Sequence, residues 1–238
     1  MKKNQWILYL LLVFLLVLET ILKPTKEMFF LLLLTQIQIF INFNAFRIQD
    51  KAFKGADWIR RSLYFIPYLL GIFFGSINTT SPQHLVLAVP LALLTGTAFL
   101  GLRMNEIKPF YNKELVAFFP PVKLNKALLE FYSYTSSAIL QEFYFKAFVI
   151  SALTPLFGVP IALLTSSILF VSDHLLHARS CMFKKSDYFA QLAMSLCTGM
   201  LYVLSGSAWI AVLAHFTFNT PLAFSYLFRY WVTTKSTI

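Results

Sequence analysis

The sequence predicts an all-α, polytopic integral membrane protein of about eight transmembrane helices, with both termini in the cytoplasm. Three observations predict it. The composition is 58% hydrophobic and only 13% charged, apolar runs long enough to cross a bilayer recur along the chain, and Lys and Arg cluster in alternate segments between those runs. A soluble domain contains roughly a quarter charged residues, so this apolar surface exceeds what one core could bury. Helices tolerate lipid because they satisfy their backbone polar groups internally.

Each predicted span is an apolar run of a length that suits the bilayer, since a helix crosses the hydrocarbon core in about 20 residues. The runs lie near residues 6–22, 28–46, 62–77, 84–102, 127–152, 158–178, 189–204 and 208–228.

The orientation follows from the basic residues, which favour the cytoplasmic side of a membrane protein. If the N-terminus is inside, the inner segments contain 17 of the 20 Lys and Arg, and the outer loops contain only Lys23 and Lys26. Removing or adding one span would scramble this asymmetry. The net charge of +10 is therefore a topology pattern, so we expect membrane lipids as surroundings and no nucleic-acid partner.

Three regions are predicted. Residues 1–126 contain the N-terminal transmembrane helices and an interfacial loop, residues 127–228 contain a core with polar motifs, and residues 229–238 form a cytoplasmic tail. The stretch Phe118-Phe119-Pro120-Pro121 lies between basic residues, which fits equally an interfacial segment on the inner leaflet and an ordinary loop with an aromatic anchor. The short loops favour a bacterial plasma membrane.

Ionisable residues inside the spans are functional candidates, because each costs about 2.5–3.5 kcal/mol on insertion scales. Glu19 lies near the outer end of its span, where a surface pair with Lys23 is expected. The other polar candidates all lie in the second half of the chain, and the nearly uncharged spans of the first half are predicted to serve packing. These candidates are Gln141, Glu142, Lys146, Asp173, His174, His177, His215 and Asn219.

The fifth span contains a predicted structural ion pair. Glu142 and Lys146 are four residues apart with Glu first, which places them on one face of an α-helix. Gln141 lies about 100° around the helix from Glu142 and is expected to face a different neighbour.

The sixth and eighth spans also contain polar residues, in addition to those of the fifth span. His174 is deep enough to face the bundle, and Asp173 beside it either orients a histidine or caps the cytoplasmic end. His215 and Asn219 are four residues apart and present one polar face. Three spans with inward polar groups favour a shared site.

The order and spacing of these groups resemble the CPBP family, which contains CAAX prenyl endoproteases and bacteriocin-processing or immunity (Abi) proteins. That family has the motifs E-E-x-x-x-R, F-x-x-x-H and H-x-x-x-N on successive membrane helices. They correspond here to Gln141-Glu142 with Lys146, to Phe170 with His174, and to His215 with Asn219.

The resemblance implies an intramembrane metal-dependent endopeptidase that hydrolyses a peptide bond with an activated water. Position 141 would activate the water with His174 as its partner, while His215 and Asn219 would stabilise the oxyanion. The resemblance also implies a divalent metal, expected to be zinc, held by Glu142, His174 and His215. The implied substrate is a peptide or protein in the membrane.

Two departures from the motifs affect this expectation. Gln141 replaces the catalytic Glu, and an amide can hold a water but cannot take its proton, a loss of about 10²–10⁴-fold. Lys146 replaces Arg, which keeps the charge but loses the bidentate fork. Glu142 could replace the missing base only if the helix is locally distorted, and Asp173 faces the same difficulty.

Three functions remain open. We favour the endopeptidase because the other polar groups of the site are costly to keep in lipid. Gln141 supports a catalytically impaired relative that acts as a membrane scaffold, immunity or regulatory protein. A proton-coupled transporter is disfavoured because the halves show no internal repeat.

Overall fold

A computed structural model describes residues 3–49, 52–74, 84–177 and 185–235, and within these ranges the chain is built from helices without strands. A π-helical segment, Phe143–Ile150, joins α8 to α9, and short 3-10 turns cover Ala45–Arg47 and Lys108–Tyr111. The α-helices are α1 (Lys3–Leu22), α2 (Lys26–Asn44), α3 (Ala56–Leu63), α4 (Ile66–Phe74), α5 (Leu85–Leu102), α6 (Met104–Ile107), α7 (Lys113–Ala117), α8 (Leu124–Glu142), α9 (Ser151–Phe157), α10 (Val159–His177), α11 (Lys185–Ser205) and α12 (Ala208–Lys235).

The predicted all-α membrane fold is confirmed. Among the described residues, five helices are long and apolar enough to cross a bilayer, and α1 adds the shorter apolar stretch Tyr9–Leu22. The five are Lys26–Arg47, Leu85–Leu102, Val159–Leu176, Ser186–Ser205 and Ala208–Thr234. The count of eight spans and the cytoplasmic position of both ends stay predictions.

The predicted third span, 62–77, does not begin as one helix. It is interrupted between α3 and α4 at Tyr64 and Phe65. Pro67 explains the interruption, because it has no N–H to donate to the carbonyl of Leu63. The basic helix α3 is therefore separate from the apolar α4, and the end of the predicted span lies outside the described residues.

Close helix contacts depend on glycine. α12 packs along α8 and α5, and a Cβ on Gly96 of α5 would lie 2.4 Å from the carbonyl oxygen of Ala214 in α12. A Cβ on Gly71 of α4 would lie 2.5 Å from the ring of Tyr144. Any side chain at either position must push the helices apart, so these glycines set the distance between the N-terminal and C-terminal halves.

Two peripheral predictions have different outcomes. Glu19 does not form the expected pair with Lys23 among the described residues, since it turns inward and accepts a hydrogen bond from Thr165 Oγ1 of α10 at 3.2 Å. In the loop before α8, Phe118 is 87% exposed, while Phe119 lies beneath the guanidinium of Arg229 in α12. An exposed aromatic at this place is what the interfacial prediction requires.

Candidate active site

A cavity of about 480 Å³ lies among α3, α4, α8, α10 and α12. Its lining changes character with depth: the basic side chains Arg60, Arg61 and Lys126 are partly exposed, whereas Tyr68 and Gln141 are buried. Asp173 and His174 also line it. Each of these basic side chains is paired with a carboxylate, Arg60 with Asp57 and both Arg61 and Lys126 with Glu130. The cavity thus brings two of the three sequence motifs to one space that has paired charges at its exposed end and polar groups at its depth.

A local distortion of the helix lies directly beside the first motif. α8 ends at Glu142, and the chain continues as the π-helix Phe143–Ile150. A π-helix bonds residue i to residue i+5 and is frequent at functional sites. Glu142 Oε1 lies 2.8 Å from His215 Nδ1, so the carboxylate meets the histidine of the third motif. A local distortion of the helix therefore begins directly after Glu142, and Glu142 itself pairs with His215, while neither of the two lines the cavity.

The predicted Glu142–Lys146 ion pair does not form within the described chain. Lys146 instead donates from Nζ to the carbonyl and the hydroxyl oxygen of Ser195 in α11, at 2.9 and 2.7 Å. Its ammonium also lies 5.5 Å from the ring centre of Phe170. The reason is the π-helix, in which the spacing of four residues no longer gives the alignment of an α-helix. The two buried charges still attract each other electrostatically.

His174 presents a proton acceptor. Its Nδ1 lies 2.9 Å from the backbone carbonyl of Phe170, and because a carbonyl only accepts, Nδ1 holds the ring proton in the neutral state. Nε2 then keeps its lone pair. The side chain lines the cavity together with Gln141, whose buried Oε1 has no hydrogen-bond partner. Both side chains therefore offer an acceptor and line the same cavity.

His215 and Asn219 lie on one face of α12, as their spacing predicts. His215 is 4% exposed, and its Nδ1 faces the Glu142 carboxylate, which fixes the proton on that nitrogen. Asn219 donates from Nδ2 to the carbonyl oxygen of Tyr134 at 3.2 Å. In this arrangement the Asn219 amide holds α12 to α8, and its predicted contact with an oxyanion stays a prediction.

Asp173 has a set of partners that sequence reasoning missed. Its Oδ1 accepts from Gln38 Nε2 and Asn42 Nδ2, each at 2.9 Å, and its Oδ2 accepts from the Tyr68 hydroxyl at 2.7 Å. Asp173 therefore neither caps the helix nor serves as a spare base. The first half of the chain contributes more than packing, and the four-residue spacing of Gln38 and Asn42 inside an apolar span was the available signal.

A metal has no evident place in this arrangement. Across the described ranges, no group of three His, Cys, Asp or Glu side chains is placed to hold a metal ion. Of the three predicted ligands, Glu142 and His215 bind each other. The third, His174, lines the cavity together with Gln141, which has an amide where the family motif has a carboxylate. Zinc stays a prediction from the family resemblance, and no step below depends on a metal.

The comparison with family models agrees with the motifs. Residues 124–221 match the model described as Rce1-like, type II CAAX prenyl endopeptidase. The match begins at the first residue of α8, ends within α12 and contains all three motifs, which confirms the predicted resemblance. No curated protein and no solved structure matches the chain.

Proposed function

Because residues 124–221 match the CAAX prenyl endopeptidase family, we propose that this membrane protein is an intramembrane endopeptidase whose base is His174. The observation that supports it best is the hydrogen bond from His174 Nδ1 to the Phe170 carbonyl, which leaves Nε2 as an acceptor in the cavity. A neutral imidazole is a competent general base near neutral pH. Gln141, which cannot take a proton, keeps the task of holding the water.

The proposed reaction is a hydrolysis in two proton transfers. Gln141 Oε1 accepts one O–H of the water, and His174 Nε2 takes the other proton while the water oxygen attacks the scissile carbonyl carbon. The tetrahedral intermediate then collapses: the carbon–nitrogen bond breaks, and the protonated His174 gives its proton to the departing amine. The products are a carboxylic acid and an amine, and His174 is neutral again.

Glu142 and His215 are proposed to help stabilise the negative charge that develops on the scissile carbonyl oxygen. His215 donates from Nδ1 to the Glu142 carboxylate at 2.8 Å, and an imidazole held in this way suits a donor role through both nitrogens when it takes up a proton during the reaction. His215 Nε2–H is then the donor proposed for the oxyanion, since the Asn219 amide already donates to Tyr134 O at 3.2 Å and to Ser137 Oγ at 3.5 Å. Such preplaced donors act strongly in a site that excludes water, and losing one costs about 10²–10³-fold in kcat.

The substrate is proposed to be a membrane-associated peptide or protein, in keeping with the name of the matched family. The cavity has room for a short peptide segment, and its partly exposed end is lined by Arg60, Arg61 and Lys126. The bacterial plasma membrane is the proposed location.

The test is a cleavage assay on the purified protein in lipid nanodiscs, with a peptide library that includes farnesylated C-terminal peptides. We expect His174→Ala to reduce cleavage at least about 100-fold. The matched control is His84→Ala, because His84 is an exposed histidine at the start of α5, outside the cavity. Equal cleavage by His174→Ala and His84→Ala would refute the proposal. Parallel assays with zinc and with a chelator test the zinc prediction separately.

A catalytically impaired relative is the second candidate, and Gln141 is the observation that favours it. In that case the wild-type protein cleaves no probe, and Gln141→Glu, which returns a carboxylate to the cavity, creates cleavage. If wild-type protein and Gln141→Glu are both inactive across the library, the hydrolytic reading fails for both forms and a scaffold or regulatory role is left.

A further inference from the structure

Four buried side chains form a cluster at the wall of the cavity, which two of them line, and none of the four is one of the catalytic groups proposed above. Gln38, Asn42, Tyr68 and Asp173, which we call the Asp173 clamp, are between 2% and 7% exposed. Three donors from α2 and α4 converge on the one carboxylate of α10, and Gln38 Nε2 also lies 3.3 Å from the Tyr68 hydroxyl. Both carboxylate oxygens are thereby engaged, so the buried charge is compensated.

The clamp is placed next to the proposed base. Asp173 and His174 are consecutive, and both lie in the last turns of α10, which ends at His177. The hydrogen bond and the ring contact of the His174 side chain both go to Phe170 of its own helix. The position of His174 relative to Gln141 on α8 is therefore governed by how α10 is turned. The hydrogen bonds to Asp173 fix the rotation of α10 relative to α2 and α4.

The donors of the clamp also lie outside the segment that matches the family model. That segment spans residues 124–221, whereas Gln38 and Asn42 lie in α2 and Tyr68 lies in α4. The segment that matches the family model is thus joined to α2 and α4 by hydrogen bonds that converge on one carboxylate, in addition to its other contacts with the N-terminal helices. A purely apolar contact would hold the helices together without the cost of burying a charge in the membrane. We therefore interpret the clamp as fixing the orientation of α10 relative to α2 and α4, in addition to holding the helices together.

We propose that Gln38, Asn42 and Tyr68 are positioning residues, which fix the orientation of the His174 ring toward Gln141 by holding Asp173 as a fully hydrogen-bonded carboxylate. This inference rests on the proposed endopeptidase function for its effect on turnover. Its effect on the orientation of His174 is independent of that function. A misplacement of a reacting group by about 1 Å can cost about 10²-fold in rate, so the loss of one clamp bond is expected to lower kcat measurably.

The test uses Tyr68→Phe, which removes one hydroxyl and keeps the packed ring, and Asn42→Leu beside it, because the Tyr68 hydroxyl also contacts the Gln141 side chain whereas the Asn42 amide donates to Asp173. We expect kcat to fall about tenfold while KM stays within about twofold, the pattern of a lost orientation and not of lost binding. The matched control is Tyr202→Phe, because the buried Tyr202 hydroxyl forms a hydrogen bond with Ser151 at 2.7 Å and has no part in the clamp. Tyr202→Phe is expected to leave kcat within about twofold.

A second readout does not need activity. Diethyl pyrocarbonate modifies accessible imidazole nitrogens, and mass spectrometry of the peptide gives the rate at His174. In Tyr68→Phe and in Asn42→Leu we expect this rate to rise at least about threefold, since a one-bond loss loosens the end of α10. Unchanged His174 modification in both variants would overturn the positioning role. If modification rises but wild-type protein cleaves no probe, the clamp stands and the proposed function fails.

Discussion

The two fully buried charges of the first motif are expected to depend on each other for stability. Glu142 and Lys146 are 1% and 0% exposed, they attract each other electrostatically, and each has a different hydrogen-bond partner. Glu142→Gln keeps an acceptor for His215 and removes only the charge. Lys146→Met keeps the length of the side chain and removes the ammonium. Each single variant therefore leaves one buried charge without its counter-charge.

The magnitude follows from the burial of both groups. Breaking a buried charge pair in contact by removing one partner typically costs about 3–5 kcal/mol, whereas replacing both by uncharged groups is far milder. Glu142 and Lys146 attract each other without contact, so the lower end of this range applies to each single variant. Lys146 keeps both bonds to Ser195 in Glu142→Gln, so we expect about 3 kcal/mol of destabilisation there. Lys146→Met loses those two bonds, and we expect about 3–4 kcal/mol. The double variant should be less destabilised than the sum of the two, by about 2 kcal/mol.

The assay is a double-mutant cycle by SDS-induced unfolding in mixed micelles. The matched control cycle uses Arg103→Met and Glu106→Gln, because that pair is partly exposed with its atoms 3.0 Å apart and is expected to couple by less than about 1 kcal/mol. Additive effects of Glu142→Gln and Lys146→Met, within about 0.5 kcal/mol, would contradict the charge-balance reasoning.

Three further predictions concern packing and the membrane surface. Gly96→Ala should destabilise the protein by about 1–3 kcal/mol in the same unfolding assay, because its Cβ would lie 2.4 Å from a backbone oxygen of α12, whereas Gly101→Ala, with nothing within 4 Å, should be neutral. Asn219→Leu should cost about 0.5–1.5 kcal/mol through the lost bond to α8, and an unchanged unfolding midpoint would exclude that bond as a stabilising contact. The relaxation of a spin label at Phe118→Cys should be accelerated by lipid-soluble collision agents if this exposed residue lies in the inner leaflet. Acceleration by water-soluble agents alone would favour an ordinary loop.

The sequence predicted those parts of the site in which the residues lie within one or two turns of the same helix. His174 and the pair His215 and Asn219 lie where a helical repeat places them, and the π-helix brings Glu142 to His215. What sequence could not predict depends on distant partners. Lys146 is directed away from Glu142 by Ser195, 49 residues along the chain, and no local pattern indicates that choice.

The Asp173 clamp was missed for a related reason. Gln38 lies 135 residues from Asp173. The four-residue spacing of Gln38 and Asn42 indicates a polar face on α2, but only the folded arrangement of α2 and α10 shows that its partner is Asp173. The interruption of the third span is a different case: Pro67 is a local signal, and a span prediction from hydropathy alone does not use it.

The most direct test of the proposed reaction is hydrolysis in water enriched in ¹⁸O. The wild-type protein in nanodiscs is incubated with the peptide library, and the new carboxyl terminus of each product is weighed by mass spectrometry. Water attack assisted by His174 predicts incorporation of a single ¹⁸O atom, at a rate that falls at least about 100-fold in His174→Ala. Absence of a labelled product from wild-type protein, or equal labelling by His174→Ala, would contradict it.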